Sequence, residues 1–98
     1  MAIVAHILMS DVSQAVYDQI RAETGWIERP PIGGISHVTW WEGEDCHSID
    51  AWESEEAMNT FVAERLGPAM AKLGVTVQPV TTVHPAHEVY TPQSVKLI

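Results

Sequence analysis

The sequence predicts an α+β domain: a βαββαβ split sandwich of the ferredoxin-like kind, with an antiparallel sheet carrying two helices on one face. Three observations predict it. Short β-branched apolar runs alternate with segments whose apolar residues recur every three to four positions. Residues 33–54 read as a hairpin closed by the acidic turn Gly43-Glu44-Asp45, and they hold three of the four tryptophans. The strand runs are apolar on both faces, so the sheet face that the helices leave bare needs a cover, and a second copy of the chain is the simplest one.

Residues 2–9 (AIVAHILM) are too short for a buried helix and suit a central strand. Ser10-Asp11 offers an N-cap, Val12, Ala15, Val16 and Ile20 follow at helical spacing, and Gly25 stands where a left-handed cap belongs, so a helix is expected over 11–24. Pro30-Pro31 forbids its continuation and makes 25–34 a loop, whose Trp26, Ile27 and Ile32 either pack on the end of the core or cover a pocket mouth. After the hairpin, Ser54 caps a second helix with Glu55-Glu56 in its first turn and a stripe of Ala57, Met58, Phe61, Val62, Arg65 and Leu66. Gly67-Pro68 is expected to interrupt it, with a new short turn over 68–73 ended by Gly74. Residues 75–84 form the last strand, at an edge or bulged because of Pro79. The 98 residues make one domain, 1–98, with 85–98 as a C-terminal arm.

Composition removes several classes of function. The formal charge is −8, from 13 acidic and 5 scattered basic residues, which is the wrong footprint for nucleic acid or an anionic membrane. A neutral or weakly acidic apolar aromatic small molecule is the easier partner. No run approaches the ~18 apolar residues of a membrane span, and no basic segment precedes the first apolar run, so neither a signal peptide nor a membrane location is expected. A single cysteine, Cys46, excludes an internal disulfide and fits a reducing cytoplasm; with Asp45 beside it and no nearby cation, it reads as an inert strand thiol.

Chemistry has few candidates. His6 shares a strand face with Val4 and Leu8, and Ser48, Asp50 and Trp52 share one on the third strand. With the first and third strands adjacent, His6 and Asp50 are expected within hydrogen-bond reach, either as a general base with its orienter or as a satisfied core pair. His37 is the other candidate base. A two- or three-residue turn pairs His47 with Trp40 or Trp41 and leaves His37 roughly 10 to 13 Å along the strand, too far for one metal to join the two within a subunit. His84 and His87 flank Pro85 on a bend, so no metal site is expected unless a ligand set is completed across a dimer. Trp40 and Trp41 point to opposite faces, one into the core; the other, with Trp52, would form the wall of a substrate pocket.

A chain of this order and length, with Ile49-Asp50-Ala51-Trp52-Glu53-Ser54-Glu55-Glu56-Ala57 running into Phe61 and then Glu64-Arg65-Leu66-Gly67-Pro68-Ala69-Met70, resembles the dimeric α+β barrel superfamily. Within it, the resemblance is to the small antibiotic-biosynthesis-monooxygenase-like proteins and covers nearly the whole chain. It implies a homodimeric barrel. Members of that group include cofactor-free oxygenases of phenolic polyketides and quinols, haem-degrading enzymes and proteins of unknown activity. The haem-degrading pattern does not carry over, since the first strand has no Asn and the second helix no His. The resemblance and the residues together lead to three expectations. The first is a cofactor-independent oxygenase of an aromatic or polyketide-like substrate, with His37 or His6 as base, Asp50 as orienter and Trp40, Trp41 and Trp52 around the substrate. The second is a non-catalytic ligand-binding or structural barrel, and the third a haem- or metal-binding protein.

Overall fold

The computed structural model describes residues 1–92; the end of the expected arm, 93–98, lies outside the described residues. Four strands form one antiparallel sheet: β1 (Ile3–Met9), β2 (Gly34–Glu42), β3 (Asp45–Trp52) and β4 (Val80–Pro85), in the order β2-β3-β1-β4. Helix α1 (Gln14–Thr24) follows β1, and a helical segment follows β3, made of α2 (Glu55–Phe61), a π-helical turn (Val62–Leu66) and α3 (Gly67–Lys72). This is the α+β, ferredoxin-like βαββαβ architecture expected from the sequence.

Strand parity sorts the side chains into two layers. Ile3, Ala5 and Met9 of β1 and Cys46, Ser48, Asp50 and Trp52 of β3 are buried, and the register pairs Ile3 with Trp52, Ala5 with Asp50 and Met9 with Cys46, which puts all seven on the helix side. There they meet Val12, Tyr17, Ile20, Met58 and Met70 in two adjoining clusters. The opposite face carries Val4, His6 and Leu8 of β1, His47 and Ile49 of β3, and Val38 and Trp40 of β2. No described helix covers it, and Val38 and Val80 are each 62 % exposed.

Three element boundaries differ from expectation. Helix α1 is capped by Ser13, whose Oγ accepts from the Val16 amide at 3.1 Å, rather than by Ser10 or Asp11. Asp11 instead sits in the left-handed region (φ 57°), and the turn it makes lets Val12 enter the core at 1 % exposure and offer its carbonyl to Trp41 Nε1 at 2.7 Å. Gly67-Pro68 does not interrupt the second helix. Pro68 has no amide to bond the preceding turn, and the Gly67 amide reaches five residues back to Val62 O, so a π-helical turn absorbs the irregularity while the backbone stays right-handed. The last strand begins at Val80, not at 75, with Pro79 immediately before it, and lies at a sheet edge. Other punctuation holds as expected: Gly25 (φ 64°) caps α1, Ser54 Oγ accepts from the Ala57 amide at 3.0 Å, and a two-residue turn joins β2 to β3.

Candidate active site

The sheet register decides which candidates meet. His37 lies opposite Asp50 on β2 and β3, both on the helix side, and His37 Nδ1 is 2.5 Å from Asp50 Oδ1. A carboxylate only accepts, so Nδ1 carries the ring proton and Nε2 is left as an acceptor. The other carboxylate oxygen, Oδ2, accepts from Trp52 Nε1 at 3.2 Å. Asp50 is thus held at both oxygens.

Nε2 faces two hydroxyls. Tyr17 Oη, from α1, is 2.8 Å away, and Thr39 Oγ1, two residues along β2, is 2.7 Å away. Thr39 Oγ1 also lies 3.0 Å from Tyr17 Oη and 3.0 Å from Ser48 Oγ. One directed chain runs through all but one of these contacts: Ser48 donates to Thr39, Thr39 to Tyr17, Tyr17 to His37 Nε2, and His37 Nδ1 to Asp50, while Thr39 Oγ1, its proton given to Tyr17, shares none with Nε2. Burial comes first among the causes that push the Tyr17 phenol above its ordinary value, so it stays protonated and serves as a donor. Among the described residues no buried side-chain N or O atom lacks a partner. Such a network fixes the imidazole tautomer and the ring orientation.

Aromatic rings wall the site. Trp26, from the loop after α1, has its ring centre 5.0 Å from that of His37 and 5.9 Å from Tyr17, and Phe61 stands 6.4 Å from Trp26 and 5.6 Å from Trp52. Trp26 therefore packs on the core and flanks the imidazole at once, whereas Ile32 of the same loop is 93 % exposed. The His37 side chain remains 31 % exposed beside an Asp50 side chain at 12 %, leaving one edge of the base open. A cavity of about 390 Å³ lined by Asp11, Ser13, Gln14, Trp41, Gly43 and Glu44 lies at the hairpin end of the same layer.

His6 does not meet Asp50. Ala5 pairs with Asp50, and His6 is opposite Ile49, so the two side chains leave the sheet on opposite faces; adjacency of the strands was foreseeable, but the parity of the register was not. On the open face His6 Nε2 is instead 3.0 Å from His47 Nδ1, with the Trp40 ring nearly parallel to both imidazoles. Trp40 and Trp41 do separate as alternation requires. Trp41 packs into the helix-side core against Tyr17, and Trp40 stays on the open face away from His37. His47 pairs with Trp40, leaving His37 three residues along and on the other face. Among the described residues no three His, Cys, Asp or Glu side chains are grouped to hold a metal ion. Burial pushes the Cys46 thiol up to about 11, which keeps it un-ionised.

Sequence reasoning missed Tyr17 and Thr39. Thr39 follows His37 at the two-residue strand period. Tyr17 stands three and seven residues before Ile20 and Thr24, the other buried positions of α1, and that spacing was the signal that placed it inside.

No protein-family model matches the chain, and no curated protein does. Solved structures do. The chain is similar to SnoaB, a cofactor-independent oxygenase from Streptomyces nogalater, at a TM-score of 0.64 and 14 % identity over 90 % of this chain and 94 % of that one. It is similar to a candidate antibiotic biosynthesis monooxygenase from Deinococcus radiodurans, at 0.63 and 18 % over 96 % and 100 % of the two chains. A protein described in the same terms from Caulobacter crescentus matches at 0.65 and 15 % over 89 % and 91 %. The chain has the fold of antibiotic-biosynthesis-monooxygenase-like proteins.

Proposed function

We propose that the protein is a cofactor-independent oxygenase of a planar phenolic or polyketide-like substrate, with His37 as general base. The observation that carries this reading is the Asp50–His37–Tyr17 chain, in which a carboxylate holds Nδ1–H and leaves Nε2 basic beside a protonated phenol. An oriented base in an aromatic-walled site is what such a reaction needs from a protein, because the activated substrate is its own reductant. The fold shared with a named cofactor-independent oxygenase adds support at the level of analogy.

In the reaction, Tyr17 turns its O–H from Nε2 to the substrate oxygen, and the freed Nε2 removes a proton from the activated CH₂ group. Negative charge spreads onto the phenolic system, stabilised by the Tyr17 donor. The carbanion passes an electron to O₂, and the radical pair joins to form a C–O bond and a peroxide anion, which takes the proton back from His37. Loss of the second C–H proton to Nε2 then forms the carbonyl as the O–O bond breaks, and hydroxide leaves with that proton as water. The balance is CH₂ plus O₂ to C=O plus H₂O. Asp50 holds the imidazolium in place while His37 carries the proton.

We propose further that the functional unit is a homodimer joined through the open sheet face. Support comes from Val38 and Val80, exposed beside His6, His47 and Trp40 on a face that no described helix covers. Oxygen uptake with an anthrone-type substrate tests the reaction. Wild type is expected to consume one O₂ per quinone formed, without added metal, flavin or haem. Absence of uptake across a panel of anthrones and hydroquinones, in a folded protein, overturns the oxygenase and leaves the non-catalytic barrel.

A further inference from the structure

The described arginines and lysines outside the His37 network fall into two pairs. Arg21 lies 3.5 Å from Asp18 and Lys72 2.7 Å from Glu23. Arg29 and Arg65 differ: among the described residues neither is within 4.0 Å of a carboxylate, in a chain with 13 acidic residues. Both point at one backbone oxygen. Thr24 O, at the end of α1, faces Arg29 Nη2 at 3.3 Å, Arg65 Nη2 at 2.6 Å and Arg65 Nε at 3.3 Å. A carbonyl has two lone pairs, and two guanidiniums carry ten N–H groups between them. Both guanidiniums meet the helix end at that single oxygen, so most of their N–H groups are left for another acceptor. Glu28 Oε2 and the Arg29 guanidinium both border the space beside Gly25, without forming an ion pair. Burial and the neighbouring Arg29 charge, in that order, lower the Arg65 pKa, as expected for two like charges sharing an acceptor.

The pair stands at one end of the aromatic wall. The Arg65 guanidinium carbon is 5.1 Å from the centre of the Phe61 ring, which adjoins Trp52 and Trp26, and Trp26 adjoins His37. We infer that Arg29 and Arg65 form an anion subsite that takes the carboxylate of a planar aromatic ligand, whose rings lie along Phe61 and Trp26 with the reactive carbon towards His37. A guanidinium fork matches a carboxylate in two parallel hydrogen bonds, and binding energy gathered away from the reacting carbon positions it there. In a field set by a charge of −8 this is a local positive spot, suited to a monoanion and not to a polyanion. The orientation of the reactive carbon rests on His37 being the base; the carboxylate site does not.

The test is titration of 2-naphthoate and its neutral counterpart 2-naphthamide, followed by tryptophan fluorescence and calorimetry, with wild type, R29Q, R65Q, R29Q/R65Q and H37A. Wild type is expected to bind naphthoate about tenfold or more tightly than naphthamide, the range of a charge-assisted pair. R29Q/R65Q should lose that preference and keep naphthamide binding, and H37A should keep the preference. R29Q alone leaves Arg65 to cap α1, so it reports on the subsite even if R65Q fails to fold; it should reduce the preference several-fold. Equal binding of the two probes, no binding of naphthoate, or a preference that survives R29Q unchanged overturns the inference. A wild type with the preference but no oxygen uptake would keep the subsite and discard the oxygenase.

Discussion

The two faces of the sheet each carry a histidine cluster, and the clusters differ in what holds them. On the helix side, His37 is bound at Nδ1 by a carboxylate and at Nε2 by the Tyr17 hydroxyl, which donates. Its proton inventory is set from outside the ring, by a charged acceptor that is itself fixed by Trp52. On the open side, His6 and His47 bond each other at 3.0 Å, His47 Nε2 is 3.4 Å from Glu42 Oε2, and Trp40 stacks on both rings while donating to the same Glu42 oxygen at 3.1 Å. There one imidazole supplies what the other needs. The two carboxylates differ in burial and reach: Asp50, 12 % exposed, holds His37 at 2.5 Å, whereas Glu42, 66 % exposed, stands 3.4 Å from His47, whose other nitrogen meets a second imidazole in a flat patch suited to being covered. Under the proposed function, the same residue type serves chemistry on one face and assembly on the other.

Replacing the histidines separates the two faces most strongly. H37A should lower the turnover of an anthrone substrate by about 10³-fold, in the range of a lost general base, with the dimer intact. H6A/H47A should leave turnover within about twofold at saturating dimer and weaken dimerisation by sedimentation velocity. The reverse pattern would exchange the roles of the two faces. The adjacent tryptophans give the next contrast. W41A removes a ring packed in the core and its bond to Val12 O, and should cost about 3 kcal/mol in urea unfolding of the monomer. W40A should cost well under half of that in the monomer and show its effect on association.

D50N sharpens the helix-side account. The amide keeps the shape but not the charge, and turnover should fall about 10- to 100-fold with KM little changed, since the base is still present but poorly held. A change confined to KM would move Asp50 from orienting the base to binding substrate. The smallest effect is alkaline. Cys46 has a folded pKa raised from 9.0 to about 11 by burial, so its contribution is fully present below pH 9 and is lost as pH rises towards 11, where the unfolded chain ionises first. Stability should drop by on the order of 2 kcal/mol across that window, and C46A should flatten that part of the pH profile. Tyr17, raised in the same direction, extends the loss above pH 10.

Most of the architecture was legible because it rests on local chemistry. Ser54 and Gly25 marked helix ends, Gly43-Glu44 closed the hairpin, and β-branched runs marked strands. The boundaries that shifted are those where long-range contact overrode a local signal: Val12 drawn into the core moved the cap to Ser13, and a π-helical turn carried the helix through Gly67-Pro68. The site was half legible. Asp50 was named as orienter of His37 or His6, and Asp50, Ser48 and Trp52 were placed on one face, but hydrogen-bond reach of Asp50 was expected for His6. That error is one residue of register between β1 and β3, strands more than 35 residues apart, where no turn fixes the parity. Tyr17 reaches His37 from a different element, and only the packing of α1 on the sheet brings its hydroxyl to Nε2.

His37 can act as a base only if the hydrogen-bond chain runs from Tyr17 through the imidazole to Asp50. Long-range ¹H–¹⁵N correlation on the imidazole nitrogens reads that direction without a substrate. The spectra should show His37 as the Nδ1–H tautomer, with a strongly downfield Nδ1 proton and an unprotonated Nε2, and D50N should abolish the downfield signal. A resting protein with the proton on Nε2 and a bare Nδ1 would mean that Asp50 itself holds the proton, and His37 would then not be the base.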